Sequence, residues 1–352
     1  MLAARPTPQN PFATSLLPLA VAHDYVMHAV LAISGSHYAS SKRDDSTYPL
    51  AQEHYAVALR SAKHQITRFS RGMCEDPAAL VALLLMLYGN LHGAVLHHLE
   101  AAGEILASLP SNLIRCPDSP YRFLIELFIY HNFVSRNMPA GMKMQPPTSA
   151  LPSLLEIVES SQQHLDGFMF GYAYELYKLI PQIRHLYFAR YLDDSPYPAP
   201  FDAIRVKLQN WRPAENAGSE WSSTLQVAAH IYQQALFIYL ACAEHGPREA
   251  DLKLLSSVRP HVDQAMALIE LLPSTCPEWT TLSWPLLVVG SCLRDRSQQE
   301  SLIRTGKRLI QGMYCVPKIN KVLLWVWADD AAYGPYGLEK VMLERNVKLS
   351  IG

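Results

Sequence analysis

Closely paired cysteines are missing from this chain. Its six, Cys74, Cys116, Cys242, Cys276, Cys292 and Cys315, come no nearer to one another than sixteen residues, so no Cys-x-x-Cys clip exists. A binuclear zinc cluster needs thiolates a few residues apart for a short loop to wrap the metal, and this dispersal argues against one. The thiols read instead as reduced side chains packed like small hydrophobes. Long apolar runs are missing too. The longest, Ala78 to Gly89, stops at Asn90, well short of the roughly 20 residues of a bilayer span. Neither charge sign is in excess, with 30 Lys and Arg against 31 Asp and Glu, which excludes a global attraction to nucleic acid or an anionic membrane. No Gly/Ser linker, charge block or fixed-period repeat divides the chain. Pro6, Pro8, Pro11, Pro18, His23 and Asp24 interrupt any signal-peptide core, and no Asn-x-Ser/Thr acceptor occurs. Together these absences predict a soluble intracellular protein with one large domain.

Catalytic signatures are absent as well. There is no Gly-x-Ser-x-Gly elbow, no Walker or dinucleotide fingerprint and no His-Glu-x-x-His. Ser34-Gly35-Ser36 lies inside a helical run, where the glycine lets two helices approach closely. His92, His97 and His98 are five, six and one residues apart, not the three or four that put two ligands on one helix face. Glu244-His245 has no second histidine to match it. Asp44-Asp45, Asp193-Asp194 and Asp329-Asp330 are each followed by a tyrosine, Tyr48, Tyr197 and Tyr333, but by no third carboxylate on the next turn. These aspartates read as solvated helix ends and turns rather than magnesium sites. No catalytic residue, metal ligand or cofactor is assigned.

What the chain does have is apolar residues at helical spacing, 49% of the total. Tyr55, Leu59, Ala62, Ile66 and Phe69 fall on one stripe, as do Leu225, Ala229, Tyr232, Leu236 and Tyr239, and Val258, Val262, Met266 and Ile269. Period-two alternation is absent, so strands should be rare. The fold class is all-α, an irregular multi-helix bundle of about a dozen helices delimited by the 25 prolines. Asp76-Pro77 predicts a helix start with a carboxylate cap, running towards Gly89. Met138 to Pro152 and Asp193 to Pro200 read as surface loops. One stretch is densely aromatic: Phe168, Phe170, Tyr172, Tyr174, Tyr177, Tyr187, Phe188 and Tyr191. These residues either fill a core or line a cavity for a small apolar effector, and both readings stand.

The order of several fragments resembles a known family. Asn10-Pro11-Phe12, Leu16-Leu17-Pro18-Leu19-Ala20 and the run from His28 to Ala39 are similar to the start of the all-helical regulatory domain of fungal zinc-cluster transcription factors. His54-Tyr55, Asp76-Pro77-Ala78-Ala79-Leu80 and His98-Leu99-Glu100-Ala101-Ala102 follow in that family's order. Leu179-Ile180, Ile238-Tyr239-Leu240 and Trp284-Pro285-Leu286 then resemble its middle and end, so that nearly the whole chain is covered. The expected organisation is a short tail over residues 1–9 and a helical regulatory domain over 10–352, without a zinc cluster.

The resemblance implies a nuclear, transcription-regulator-like protein of a fungus that controls a metabolic or secondary-metabolite gene set. It would act through a protein partner, either a DNA-binding factor or a second copy, or through a small apolar effector. Direct sequence-specific DNA binding by this chain and membrane association are not expected. An enzyme built on the same scaffold and acting on an apolar metabolite, or a structural dimerisation subunit, are the alternatives.

Overall fold

The computed structural model describes residues 10–42, 46–88, 96–110, 112–113, 119–134, 148–160, 168–192, 198–213, 223–309, 315–347 and 349. Among them helix follows helix with no strand, the all-α architecture that the spacing predicts.

A π-helical turn over Phe12–Leu16 leads into α1 (Leu17–Ala22), followed by the hairpin of α2 (Asp24–Lys42) and α3 (Thr47–Ser70). The pair closes tightly at Gly35, where a Cβ would come within 3.1 Å of the Ala51 Cβ. Nearby, His28 and His54 share a bond between their Nδ1 atoms at 2.7 Å, one ring donating and the other accepting. The face of α3 turned inward is alanine, Ala51, Ala58 and Ala62. The stripe read from the sequence is therefore helical but only partly inward: Ala62 is buried and Phe69 packs on the core, while Leu59 and Ile66 face solvent.

Beneath the hairpin runs α4 (Pro77–Tyr88), started as expected by Asp76, whose Oδ1 accepts from the amides of Ala78 at 2.9 Å and Ala79 at 3.2 Å. From Ala78 to Tyr88 every residue is buried, as a helix apolar on all sides must be. Around it lie α5 (Leu96–Ser108), α6 (Pro120–Phe133) and α7 (Leu151–Ser160). The chain then builds α8 (Tyr174–Tyr177), α9 (Leu179–Leu192), α10 (Pro198–Asn210) and α11 (Ser223–His245). It closes with α12 (Leu252–Leu271), α13 (Ser283–Ser291), α14 (Arg296–Leu309), α15 (Cys315–Ala328) and α16 (Gly334–Glu344). The stripes expected on α11 and α12 are buried at every position named above. Two helical groups result, one around α4 and α6 and one around α11 and α13, within a single continuous hydrophobic core.

Prolines open helices here more than they end them. Pro120, Pro198, Pro285, Pro317 and Pro335 sit in first turns, where a missing N–H costs nothing, and Pro260 lies inside α12. The two predicted loops are corrected at their C-terminal ends for the same reason. Pro152 belongs to the first turn of α7, and Pro198–Pro200 begin α10. Thr148 is also no surface residue: it is buried and donates to Asn132 Oδ1 at 3.0 Å. Ala150 and Leu151 are buried as well, while residues 138–147 and 193–197 of the two loops lie outside the described residues. No helix among the described residues is long and apolar enough to cross a membrane.

Candidate functional site

The dense aromatic stretch lies at the junction of the two helical groups. Towards α6, Phe168 meets Phe123 with ring centroids 6.0 Å apart, and Phe170 meets Tyr130 and Phe133 at 6.1 Å each. Glu126, buried in α6, accepts from the Met169 amide at 2.6 Å and so pins this segment to the first group. Towards α11, Tyr177 packs on Tyr232 at 4.3 Å, and Tyr232 stacks on Trp284 of α13 at 6.0 Å. Phe170 joins the two sides, 4.8 Å from Tyr177 and 5.3 Å from Tyr174. Edge-to-face and tilted contacts of this kind add to the burial of the rings themselves. Burial also holds the phenols of Tyr174 and Tyr177 well above their usual range, so both stay neutral.

Tyr187 stands apart from that seam, on α9 facing α16. There Arg184 and Glu339, 155 residues apart in the chain, form a buried pair with Nη2 to Oε1 at 3.0 Å and Nη1 to Oε2 at 3.4 Å. Their side chains are only 8% and 6% exposed. Tyr187 donates its hydroxyl to the same carboxylate at 3.2 Å. The Arg184 guanidinium lies 4.4 Å from the Phe188 ring centre, a cation–π contact. Burial disfavours the Arg184 charge, but Tyr239 and Glu339 together outweigh it and raise its pKa. The Tyr239 hydroxyl is buried beside the guanidinium without hydrogen-bond geometry, and burial pushes it up to about 12.

Outside this pair is a cleft of about 150 Å³ lined by Tyr187, Phe188, Tyr336 and Leu343, with Glu339, Lys340 and Glu344 at its polar side. Two further contacts fix α16 against it. Lys340 donates to Asp329 Oδ2 at 3.2 Å. At the start of α16, Gly334 takes a φ of +64° and sits over two buried thiols; a Cβ there would lie 2.9 Å from Cys242 Sγ and 3.5 Å from Cys292 Sγ. These two thiols, fifty residues apart in sequence, both lie under Gly334, and the closeness of Cys292 together with burial raises the Cys242 pKa. A larger groove of about 480 Å³ between α12 and α14 is open and lined chiefly by polar groups, Glu270, Ser274, Ser301, Arg304 and Thr305 among them. Of these two, the smaller cleft has the aromatic walls of an apolar-ligand site.

Of the expected effector set, the structure thus places Phe168, Phe170, Tyr174 and Tyr177 at the seam, with Tyr172 half-buried beside them. Tyr187 and its neighbour Phe188 line the cleft; the Tyr191 side chain lies outside the described residues. Arg184 and Glu339 escaped the sequence reading, because nothing local links two residues in separate helices. A guanidinium inside the apolar run of α9 is the one signal that could have flagged them.

The other polar constellations have local roles. Asp329 accepts from the Ala331 amide at 3.0 Å in a turn. His97 is exposed beside Glu100, and the half-buried His98 has its pKa lowered by burial. Glu244 pairs with Arg205. Asp44, Asp45, His92, Cys116, Asp193, Asp194, Tyr197 and the Cys315 side chain lie outside the described residues. No cluster of three metal-binding side chains occurs among the described residues.

A family model described as the fungal specific transcription factor domain matches residues 2–351. No curated protein and no solved structure matches the chain.

Proposed function

The chain belongs to the fungal specific transcription factor domain family, and from that premise we propose that it is the regulatory module of a nuclear control system for a metabolic gene set. It acts by binding rather than by catalysis. A compact apolar effector enters the cleft between α9 and α16, and a protein partner carries the response to the promoter. The observation supporting this reading is the cleft itself: aromatic walls and a polar edge that includes Glu339, the carboxylate held by buried Arg184. A volume of about 150 Å³ suits a molecule of roughly single-ring size, since a cavity of about that volume holds benzene. An effector that fits best when α9 and α16 are apart, or together, shifts the population between those arrangements by its difference in affinity.

A reporter assay tests the proposal. The full chain is fused to a heterologous DNA-binding module in a fungal host, and transcription from the matching promoter is followed across carbon and nitrogen sources. The expected result is transcription that differs from the DNA-binding module alone and varies with nutrient. Tyr187→Ala and Leu343→Trp, which enlarge and fill the cleft, should alter that variation while the fusion remains abundant. Transcription equal to the bare module under every condition would overturn the regulatory reading. A nutrient response unchanged by both variants would overturn the cleft as its sensor.

A further inference from the structure

The outer edge of α3 presents exposed apolar and basic side chains. Nine of the fifteen exposed large apolar side chains among the described residues lie before Cys74, although this part is about a fifth of the chain. On α3, Leu59 is 40% and Ile66 36% exposed. Lys63 falls between them at helical spacing, four residues after one and three before the other, so all three share a face. Arg60 borders that face. From His54 to Cys74 there is no Asp or Glu, while Arg60, Lys63, Arg68 and Arg71 are all cationic. Arg68 is engaged by Glu75 at 2.7 Å, but Arg60 and Lys63 have no acidic partner among the described residues. In a chain whose formal charge is -1, this is a local surplus, not a reflection of composition.

We propose that this edge of α3 docks an acidic amphipathic helix of a partner protein. Its apolar residues cover Leu59 and Ile66, and its carboxylates meet Arg60 and Lys63. A helix laid in a groove offers side chains at the same three- and four-residue spacing that this face presents, and opposite charges around an apolar centre set its orientation and speed its arrival. A second copy of this chain is disfavoured as the occupant, because two such edges facing one another bring like charges together. Nucleic acid is disfavoured too, since a phosphate backbone leaves the exposed aliphatics uncovered. The proposal goes beyond the effector cleft and rests on a different surface.

The test uses the full-length protein and a fluorescein-labelled synthetic helix of about 18 residues, with Leu and Phe at i, i+3, i+4 and i+7 and Asp and Glu elsewhere. Fluorescence anisotropy should report micromolar binding that weakens several-fold between about 50 and about 300 mM salt. Two variants, Leu59→Ser with Ile66→Ser and Arg60→Glu with Lys63→Glu, should each weaken it about tenfold, because anchors and steering charges are lost. All four side chains are exposed, so helicity by circular dichroism should stay at the parent value. The proposal fails if the acidic helix does not bind, if a matched helix with Lys and Arg binds as well, or if neither variant matters. It also fails if duplex DNA or anionic lipid vesicles bind more tightly with the same variant sensitivity, or if light scattering shows a dimer that the variants dissolve. Either outcome leaves the cleft unaffected, since Tyr187 and Leu343 lie elsewhere.

Discussion

The Arg184–Glu339 pair illustrates how a single buried contact can matter more for specification than for stability. Taking both charges out of water costs several kcal/mol, and their attraction roughly returns it. Removing one partner is different, because the other is left buried and uncompensated. Arg184→Met should therefore lower stability to urea by about 3–5 kcal/mol, while Arg184→Met with Glu339→Met should recover most of that loss. Failure of the double variant to recover would mean that the pair is not the chief tie between α9 and α16. A second residue-level consequence concerns His131, fully buried beside Tyr88 and Tyr130. Burial lowers its pKa to about 4. The unfolded chain, with an imidazole near pH 6.5, then binds the extra proton, so stability is complete above about pH 6.5 and declines as pH falls towards 4. The gap corresponds to about 3 kcal/mol. His131→Phe should remove much of the decline between about pH 6.5 and 5, measured by urea unfolding at successive pH values. His37, His98 and His261 are lowered by burial as well, and should leave a residual slope.

At the level of elements, the start of α4 offers a separable test, because Asp76 does two jobs. One oxygen caps the helix and the other faces His23 Nε2 at 2.9 Å. Asp76→Ala loses both and should cost about 1–2 kcal/mol, whereas Asp76→Asn keeps the cap and should cost less than half of that. Equal losses in thermal unfolding would assign the effect to the ion pair. That helix was legible in the sequence for a physical reason: its cap, its proline and its apolar run are all local. The α11 and α12 stripes were legible for the same reason, and so was the close approach at Gly35. What the sequence concealed was pairing across distance. Arg184 and Glu339 become neighbours only when α16 docks on α9, and Cys242 and Cys292 only when α13 packs on α11, and no helical period encodes either docking. The inward or outward facing of Leu59 and Ile66 was concealed too, since a stripe marks a helix but not which neighbour covers it. The aromatic set was conspicuous as composition, yet its division between a seam and a cleft wall depends on the break between α8 and α9.

For the molecule as a whole, that seam decides whether the two helical groups behave as one body. The first group meets the second through Phe168, Phe170 and Tyr177, and through Glu126 on the Met169 amide. An effector at α9 and α16 can influence a partner on α3 only if this junction transmits the change, because the cleft and the exposed edge belong to different groups. The distribution of tryptophan makes the junction measurable. All six tryptophans lie between Trp211 and Trp327 in sequence, and the five among the described residues belong to the second group, so tryptophan fluorescence serves as its probe, while far-UV circular dichroism reports every helix. In the parent protein the two signals should lose structure together on adding urea, as expected for a cooperative unit. Phe170→Ala removes the ring shared by both sides and should cost about 3–5 kcal/mol. If the seam is the coupling element, the variant should also split the transition, with circular dichroism beginning to fall before tryptophan fluorescence changes. A variant that is destabilised yet still unfolds in one coincident step would show that the groups are held together elsewhere.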